Sequence, residues 1–229
     1  ERLVQQEDAR RGFVATASHE LRTPVASLQA MLELLEDDLA GPDVDLADAR
    51  AQIGRARNQS RRLARLAADL LDLSRLDAEV PLRSEPVELG ELSRAVVAEF
   101  DSGGDRLVLD ARGENCWAQA DPGSVARIAR ILIDNALRAS PEDRPVHVAV
   151  GNGSDVAWLS VADGGPGVPS GERDAIFERF SRGTAAPGGG FGLGLAIGRG
   201  LATRMGGTLV LEPSSRGARF TVRLPATRR

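Results

Sequence analysis

No lysine and no tyrosine occur in this chain of 229 residues, and aromatic side chains make up only 3% of it, so any hydrophobic core has to be aliphatic. Cys116 is the only cysteine, which excludes an internal disulfide and fits a reducing compartment. The basic residues are all arginine, a choice read here as genomic base bias, with pairs such as Arg61 and Arg62 on a solvated helix face. Net charge is −4 and no long run of like charge occurs, which argues against a nucleic-acid partner. No apolar run reaches membrane-spanning length, and no signal peptide is present. The chain opens on Glu in the middle of a helical pattern, so it is expected to be a fragment, with any membrane segment lying outside it.

What the chain does have is 42% hydrophobic residues, enough for one large or two smaller cores. The organising stretch is Phe13 to Leu35. Val14, Leu21, Val25, Leu28, Leu32, Leu35 and Leu39, with Ser18 filling a gap, step by threes and fours as a heptad seam. With Leu21 and Leu28 at d and Val25 and Leu32 at a, His19 falls at b, beside the seam and facing solvent. Glu20 is placed to accept from the ring Nδ1, which would leave Nε2 as the nucleophilic nitrogen. Thr23 lies one turn on along the same face. Pro24 cannot donate to the Glu20 carbonyl, so a bend is expected there.

The first helix is predicted from about Leu3 to Leu39 and is closed by Gly41 and Pro42. A second runs from about Asp45 to Ala78, with Leu46, Ala49, Ile53, Ala56, Ser60, Leu63, Ala67 and Leu70 in step. Two long helices and a short turn make an antiparallel hairpin. Met31, Leu34, Leu66 and Leu73 fall outside the stripe, and a lone pair of helices cannot bury both sets. A homodimeric four-helix bundle follows.

Pro81 and Pro86 mark a linker or edge strand, which divides the chain into domains 1–79 and 80–229. Beyond it, helices are predicted over Leu89 to Phe100, Pro122 to Ala139 and Gly192 to Met205. Strands are predicted over Arg106 to Asp110, Cys116 to Ala120, His147 to Val150, Val156 to Ala162, Thr208 to Leu211 and Ala218 to Leu224. This mixed order implies an α/β sandwich, with helices on one face of a mixed sheet. His147, in a strand with no carboxylate beside it, is read as structural.

Four blocks in the second domain have a physical use. In RILIDNALRAS, Asn135 and Arg138 share a helix face, and an amide oxygen beside a guanidinium suits a metal–nucleotide complex. In DGGPG, Asp163 stands at a strand end where a carboxylate can accept an exocyclic amine, while Gly165 and Gly167 permit close backbone approach. IFERF offers Phe177 and Phe180 as inward anchors, with Arg179 and Arg182 for phosphates. GGGFGLGLAI is a glycine-rich loop entering a helix start, whose N–H groups favour phosphate. Each block alone also has a plainer reading as solvated helix, turn, core or connector.

HELRTP resembles the phospho-acceptor box of sensor histidine kinases. In their order and spacing, the four later blocks look like the N, G1, F and G2 boxes of the catalytic domain in that family, which shares its superfamily with gyrase, Hsp90 and MutL. The resemblance implies a dimeric bundle bearing an acceptor histidine and an ATP-binding α/β domain of histidine-kinase/Hsp90-like fold, with a lid over about Ser181 to Gly190. It implies autophosphorylation of His19 by ATP, with Glu20 assisting, and transfer to an aspartate of a response regulator receiver domain. Thr23 would serve a phosphatase activity. By the same resemblance Mg²⁺ falls on Asn135, adenine on Asp163 with Gly165 and Gly167, and phosphates on Arg138, Arg179, Arg182, Gly190, Gly192, Leu193 and Gly194. The expected location is the cytoplasmic portion of a bacterial inner-membrane sensor.

Two positions depart from the family pattern. Ile131 stands where many relatives carry a second Asn and the ATP-hydrolysing branches carry a water-activating glutamate, so one polar ligand is lost and an ATPase is disfavoured. Ala139 stands where an aromatic often stacks on the base. The alternative they support is a dimeric scaffold that binds nucleotide weakly and signals by conformation. A superfamily ATPase or a serine kinase is a further rival, against which the His19 hairpin speaks.

Overall fold

A computed structural model describes residues 2–40, 45–100, 106–111, 116–181, 183 and 190–227, with side chains from residue 15 onward. The chain divides into two compact units, 1–74 and 75–229.

In the first unit, α1 (Arg2–Ala40) and α2 (Leu46–Asp77) form the predicted hairpin. α2 starts where Asp45 accepts from the amides of Ala47 (2.8 Å) and Asp48 (3.2 Å), an N-terminal cap. The Gln52 amide donates to Asp38 (2.5 Å) and Asp48 (2.7 Å), which ties the two helices near their turn. The inward stripe agrees with the predicted one at Leu21, Leu28, Leu35, Ala49 and Ala56 and differs on α1 at positions 24 and 31, which turn inward in place of 25 and 32. Ala17, Pro24 and Leu35 are buried and Leu21, Leu28 and Met31 half-buried on α1, while Ala49, Gln52, Ala56, Leu66 and Leu73 are buried on α2. Val25, Leu32, Leu39, Leu46 and Ile53 stay between 41% and 60% exposed. Positions 24 and 31 are the neighbours of 25 and 32, about 100° away around the helix. Both pairs are apolar, and the burial of Pro24 and Gln52 marks which one the hairpin closes on.

The division into compact units falls within the last turns of α2, after Ser74. Leu76 stands where its Cδ1 would lie 3.0 Å from a Cβ on Gly200, and Arg204 donates to the Val80 carbonyl at 2.5 Å. The end of α2 therefore packs with the second unit.

That unit holds β1 (Glu85–Glu88), α3 (Leu89–Phe100), β2 (Leu107–Asp110), β3 (Trp117–Ala120), α4 (Pro122–Ala139), β4 (Val146–Asn152), β5 (Val156–Ala162), α5 (Gly194–Arg204), β6 (Thr208–Glu212) and β7 (Arg219–Pro225). Two short 3-10 turns, Ser170–Glu172 and Ala175–Phe177, lie between β5 and α5. The main sheet has the order β2-β4-β5-β7-β6, with β2 parallel to β4 and every other pair antiparallel. β1 is the edge strand allowed for, paired to β3 in a separate ribbon.

Strand alternation puts Val146, Val148, Val150, Leu159, Val161, Phe220, Val222 and Leu224 on the buried face, against α3, α4 and α5. His147 falls on the other face and is exposed. α4 starts where the Asp121 carboxylate accepts from the Ser124 amide (2.7 Å), with proline at its first turn. Its far end is closed by Arg106, whose Nη2 donates to the carbonyls of Leu137 (3.3 Å), Ser140 (3.1 Å) and Pro141 (3.2 Å). Burial pushes the Cys116 thiol up, and Glu88 adds to the effect. Among the described residues no helix is long and apolar enough to cross a membrane.

Candidate functional site

On α1, His19 is exposed and Glu20 half-buried. α1 runs through Pro24 without interruption. The Thr23 hydroxyl donates to the His19 carbonyl at 3.3 Å, and Gln59 reaches across from α2 to donate to the Pro24 carbonyl, also at 3.3 Å. Pro24 is buried while His19, five residues earlier, faces out. The imidazole is thus presented sideways from the hairpin, open to an incoming electrophile.

In the second unit the later blocks converge on α4. Arg138 forms an ion pair with Asp134 one turn earlier, and its Nη1 would lie 3.2 Å from a Cβ on Gly190. The guanidinium therefore flanks the end of the glycine-rich loop. Asn135 is half-buried beside them. An amide oxygen of this kind suits Mg²⁺, which keeps several waters and takes its other ligands from phosphates. Among the described residues no group of three or more His, Cys, Asp and Glu side chains gathers as a metal site.

The Asp163 loop is seated on the end of the same helix. Asp163 Oδ1 accepts from the amides of Gly165 (2.9 Å) and Ala218 (3.1 Å). One carboxylate oxygen thus holds the backbone of two segments. The buried Ser140 Oγ accepts from the Gly164 amide (2.9 Å), and Arg144 donates to the Gly164 carbonyl (2.8 Å). A Cβ on Gly165 would lie 2.6 Å from the Ala139 carbonyl oxygen. Gly167 has φ +81° and Gly217 +64°, and a side chain on Gly217 would collide with the Asp163 backbone. Ser140, Arg144, Gly217 and Ala218 therefore build the site without having been predicted. Ser140 had a signal, as the last residue of the RILIDNALRAS block.

The glycine-rich segment is pinned at its exit. Gly192 (φ +69°) stands where a Cβ would be 2.6 Å from the Phe180 carbonyl carbon and 2.8 Å from the Ser181 nitrogen. Phe191 and Leu193 are buried anchors on either side. α5 then starts at Gly194 with no side-chain cap on its first amides, an arrangement that favours an anion. Ile131 is 6% exposed, and its Cγ2 would be 3.0 Å from a Cβ on Gly194. It therefore packs on the start of α5.

Phe177 of IFERF is an inward anchor as expected, while Arg179 is engaged by a carboxylate. Ile176 is the buried residue, with Phe177 and Phe180 half-buried. Phe177 meets Phe220 edge to face at 6.2 Å, and Arg199 lies 5.2 Å above its ring. Arg179 makes a two-pronged ion pair with Asp77 (2.5 and 3.1 Å), so its guanidinium is drawn to the end of α2. Sequence reasoning had no means to weigh a carboxylate about 100 residues earlier. Arg182, and the predicted lid apart from Ser181, Gly183 and Gly190, lie outside the described residues.

Residues 9–79 match the family described as the His Kinase A (phospho-acceptor) domain, and residues 120–228 the histidine kinase-, DNA gyrase B- and HSP90-like ATPase family. The chain is 36% identical to the sensor protein KdpD of Mycobacterium tuberculosis over 224 residues, which cover 91% of this chain and 25% of that protein. It is 33% identical to the histidine-protein kinase/phosphatase MprB of the same species over 224 residues, covering 94% of this chain and 43% of MprB. It thus spans less than half the length of either relative. The structure of histidine kinase ThkA in complex with response regulator protein TrrA has the same fold, with a TM-score of 0.72 at 20% identity, covering 99% of this chain and 67% of that one. With an exposed histidine on a helical hairpin and an acceptor and an ATPase module matched in sequence order, the chain belongs to the sensor histidine kinases of two-component systems.

Proposed function

We propose that this chain is the core of an ATP-dependent histidine autokinase, in which His19 Nε2 attacks the γ-phosphate of ATP in line. The N–P bond forms as the bond to the ADP oxygen breaks, and the ring proton passes to Glu20, which also orients the imidazole. Asp163 Oδ2 accepts from the adenine amine, with Gly165 and Gly167 beside the base. Arg138, Gly190, Gly192, Leu193 and Gly194 receive the phosphates, joined by Arg182 and by Arg179 once it leaves Asp77. Asn135 holds Mg²⁺, which when bound offsets charge on the phosphates. The phosphoryl group then passes to an aspartate on a response regulator receiver domain, and Thr23 positions the water that later hydrolyses that phosphoaspartate to aspartate and inorganic phosphate.

The hairpin pairs with a second copy through the open stripe of Val25, Leu32, Leu39, Leu46 and Ile53, whose exposure in a single chain is costly to leave uncovered. In its full-length setting the core sits on the cytoplasmic side of the membrane, anchored by segments outside this chain.

The observation that carries the reading is the exposed His19 imidazole beside a buried Pro24. The test is incubation with γ-labelled ATP and Mg²⁺ followed by a candidate receiver. Wild type takes up acid-labile label and passes it on, while His19→Gln takes up none. A Thr23→Ala chain accepts phosphate but dephosphorylates the receiver more slowly. Label that persists in His19→Gln, or that resists acid, sinks the autokinase reading. The scaffold alternative, favoured by Ile131 and Ala139, predicts no label in any variant.

A further inference from the structure

We propose that Ile131 is a positioning residue for nucleotide binding: its side chain is the stop that sets how close the uncapped start of α5 comes to Asn135 and Arg138. The inference rests on the nucleotide reading above and adds a role that reading did not give it.

Three observations carry it. Ile131 lies one turn before Asn135 and two turns before Arg138, so all three share a stripe of α4. It is not a passive surface residue, being 6% exposed, with its Cγ2 only 3.0 Å from the place a Cβ would occupy on Gly194. Gly194 is the first residue of α5, and no side chain caps that end. The height of the helix start above α4 therefore has to come from packing, and Ile131 is the α4 side chain at the contact. Its β-branched side chain has few rotamers, which makes it a firm wall. A polar side chain there would add a ligand but would give up this apolar stop.

The contact is tight enough to be tested by reciprocal exchange. Gly194→Ala puts a methyl 3.0 Å from Cγ2, closer than a relaxed contact, and the β-branched Ile131 side chain has little freedom to turn away, so α5 is expected to lift slightly. Ile131→Ala removes Cγ2 and leaves a gap into which α5 can settle. Combined, the new methyl on residue 194 fills the space vacated at residue 131. A double-mutant cycle isolates that coupling.

The measurement is Kd for ATP with Mg²⁺, together with hydrogen exchange of the Ile197 amide, which makes the first turn bond of α5 to the Leu193 carbonyl (2.9 Å). Each single variant is expected to weaken ATP binding about tenfold and to speed Ile197 exchange, and the double variant to return both to within about twofold of wild type. Ile131→Val, which keeps both γ carbons, is expected to bind within about twofold of wild type. This separates the contact from bulk stability, because it also trims the core. Losses that simply add in the double variant, or an Ile131→Ala chain that binds ATP as wild type does, would overturn the proposal. A wild-type chain that binds no ATP would sink the nucleotide reading instead. In that event Ile197 exchange judges the packing, and exchange unmoved in Ile131→Ala overturns it.

Discussion

Exchanging Asp163 for asparagine separates the two halves of its carboxylate. Oδ1 accepts two backbone amides, from Gly165 at 2.9 Å and Ala218 at 3.1 Å. An asparagine side-chain oxygen can accept the same two, so the loop keeps its shape and loses only the extra strength that charge gives a hydrogen bond, about 1 kcal/mol in stability. Keeping that oxygen inward forces the new NH₂ to replace Oδ2 and face the ligand. Adenine presents an amine at the edge that Oδ2 would meet, so an acceptor–donor pair becomes two donors face to face. A lost bond to a charged acceptor is worth about 1.5–3 kcal/mol, which corresponds to about a 10- to 100-fold weaker Kd for ATP.

Guanine carries an acceptor oxygen where adenine carries the amine, so the same variant should lose its preference for ATP over GTP. The assay is calorimetric titration of wild type and Asp163→Asn with both nucleotides, with thermal unfolding run beside it. If Asp163→Asn binds ATP as tightly as wild type at an intact melting temperature, adenine recognition by Oδ2 is wrong. If ATP and GTP binding fall together with a collapse in melting temperature, the carboxylate serves only the loop.

Gly217→Ala should be worse for the site than Asp163→Asn, because its methyl meets the Asp163 backbone at a φ of +64°. We expect a loss of about 2 kcal/mol or more in stability, read by urea unfolding, together with lost ATP binding. The Glu99–Arg130 pair between α3 and α4 (2.6 and 2.7 Å) predicts an acid-side effect. The Arg130 hydrogen bond holds the Glu99 carboxyl below its ordinary value, so its stabilisation is complete above that value and is lost as pH falls through the lowered one. The pair is largely exposed, so Glu99→Gln should cost only about 0.5 kcal/mol at pH 7 and nothing measurable once acid has protonated wild-type Glu99.

How much of this was legible in the sequence depends on how local the cause is. α4 was read to the residue because Asp121 caps it and Pro122 begins it, both within its first turn. β4 runs two residues past its predicted end, to Asn152, because Gly151 lies opposite Trp158 and the absent side chain makes room for the indole. The hairpin was legible as a hairpin, and so was half of its inward stripe, at Leu21, Leu28, Leu35, Ala49 and Ala56. Residues 24 and 31 compete with 25 and 32 for the same interface, and only the pairing of both helices decides between them. Arg179 shows the limit most sharply. Its motif is local, its partner Asp77 is not, and an exposed guanidinium goes to whichever carboxylate the fold brings within reach.

The site blocks are glycine-rich for a reason that periodicity does not express. At Gly165, Gly192 and Gly217 the atoms an added Cβ would meet include the main chain of another segment: Ala139, the Phe180–Ser181 peptide and Asp163, respectively. Main-chain atoms are less able to step aside than a flexible side chain, so these three positions should tolerate no exchange even where neighbouring loop residues do. Gly194 is different in kind, since its neighbour is the side chain of Ile131, and a side chain can be traded. The start of α5 is therefore a place where a compensated substitution can reset the spacing between α4 and the first amides of that helix. The choice of side chain at residue 131 is accordingly expected to tune nucleotide affinity without altering the Asp163 loop.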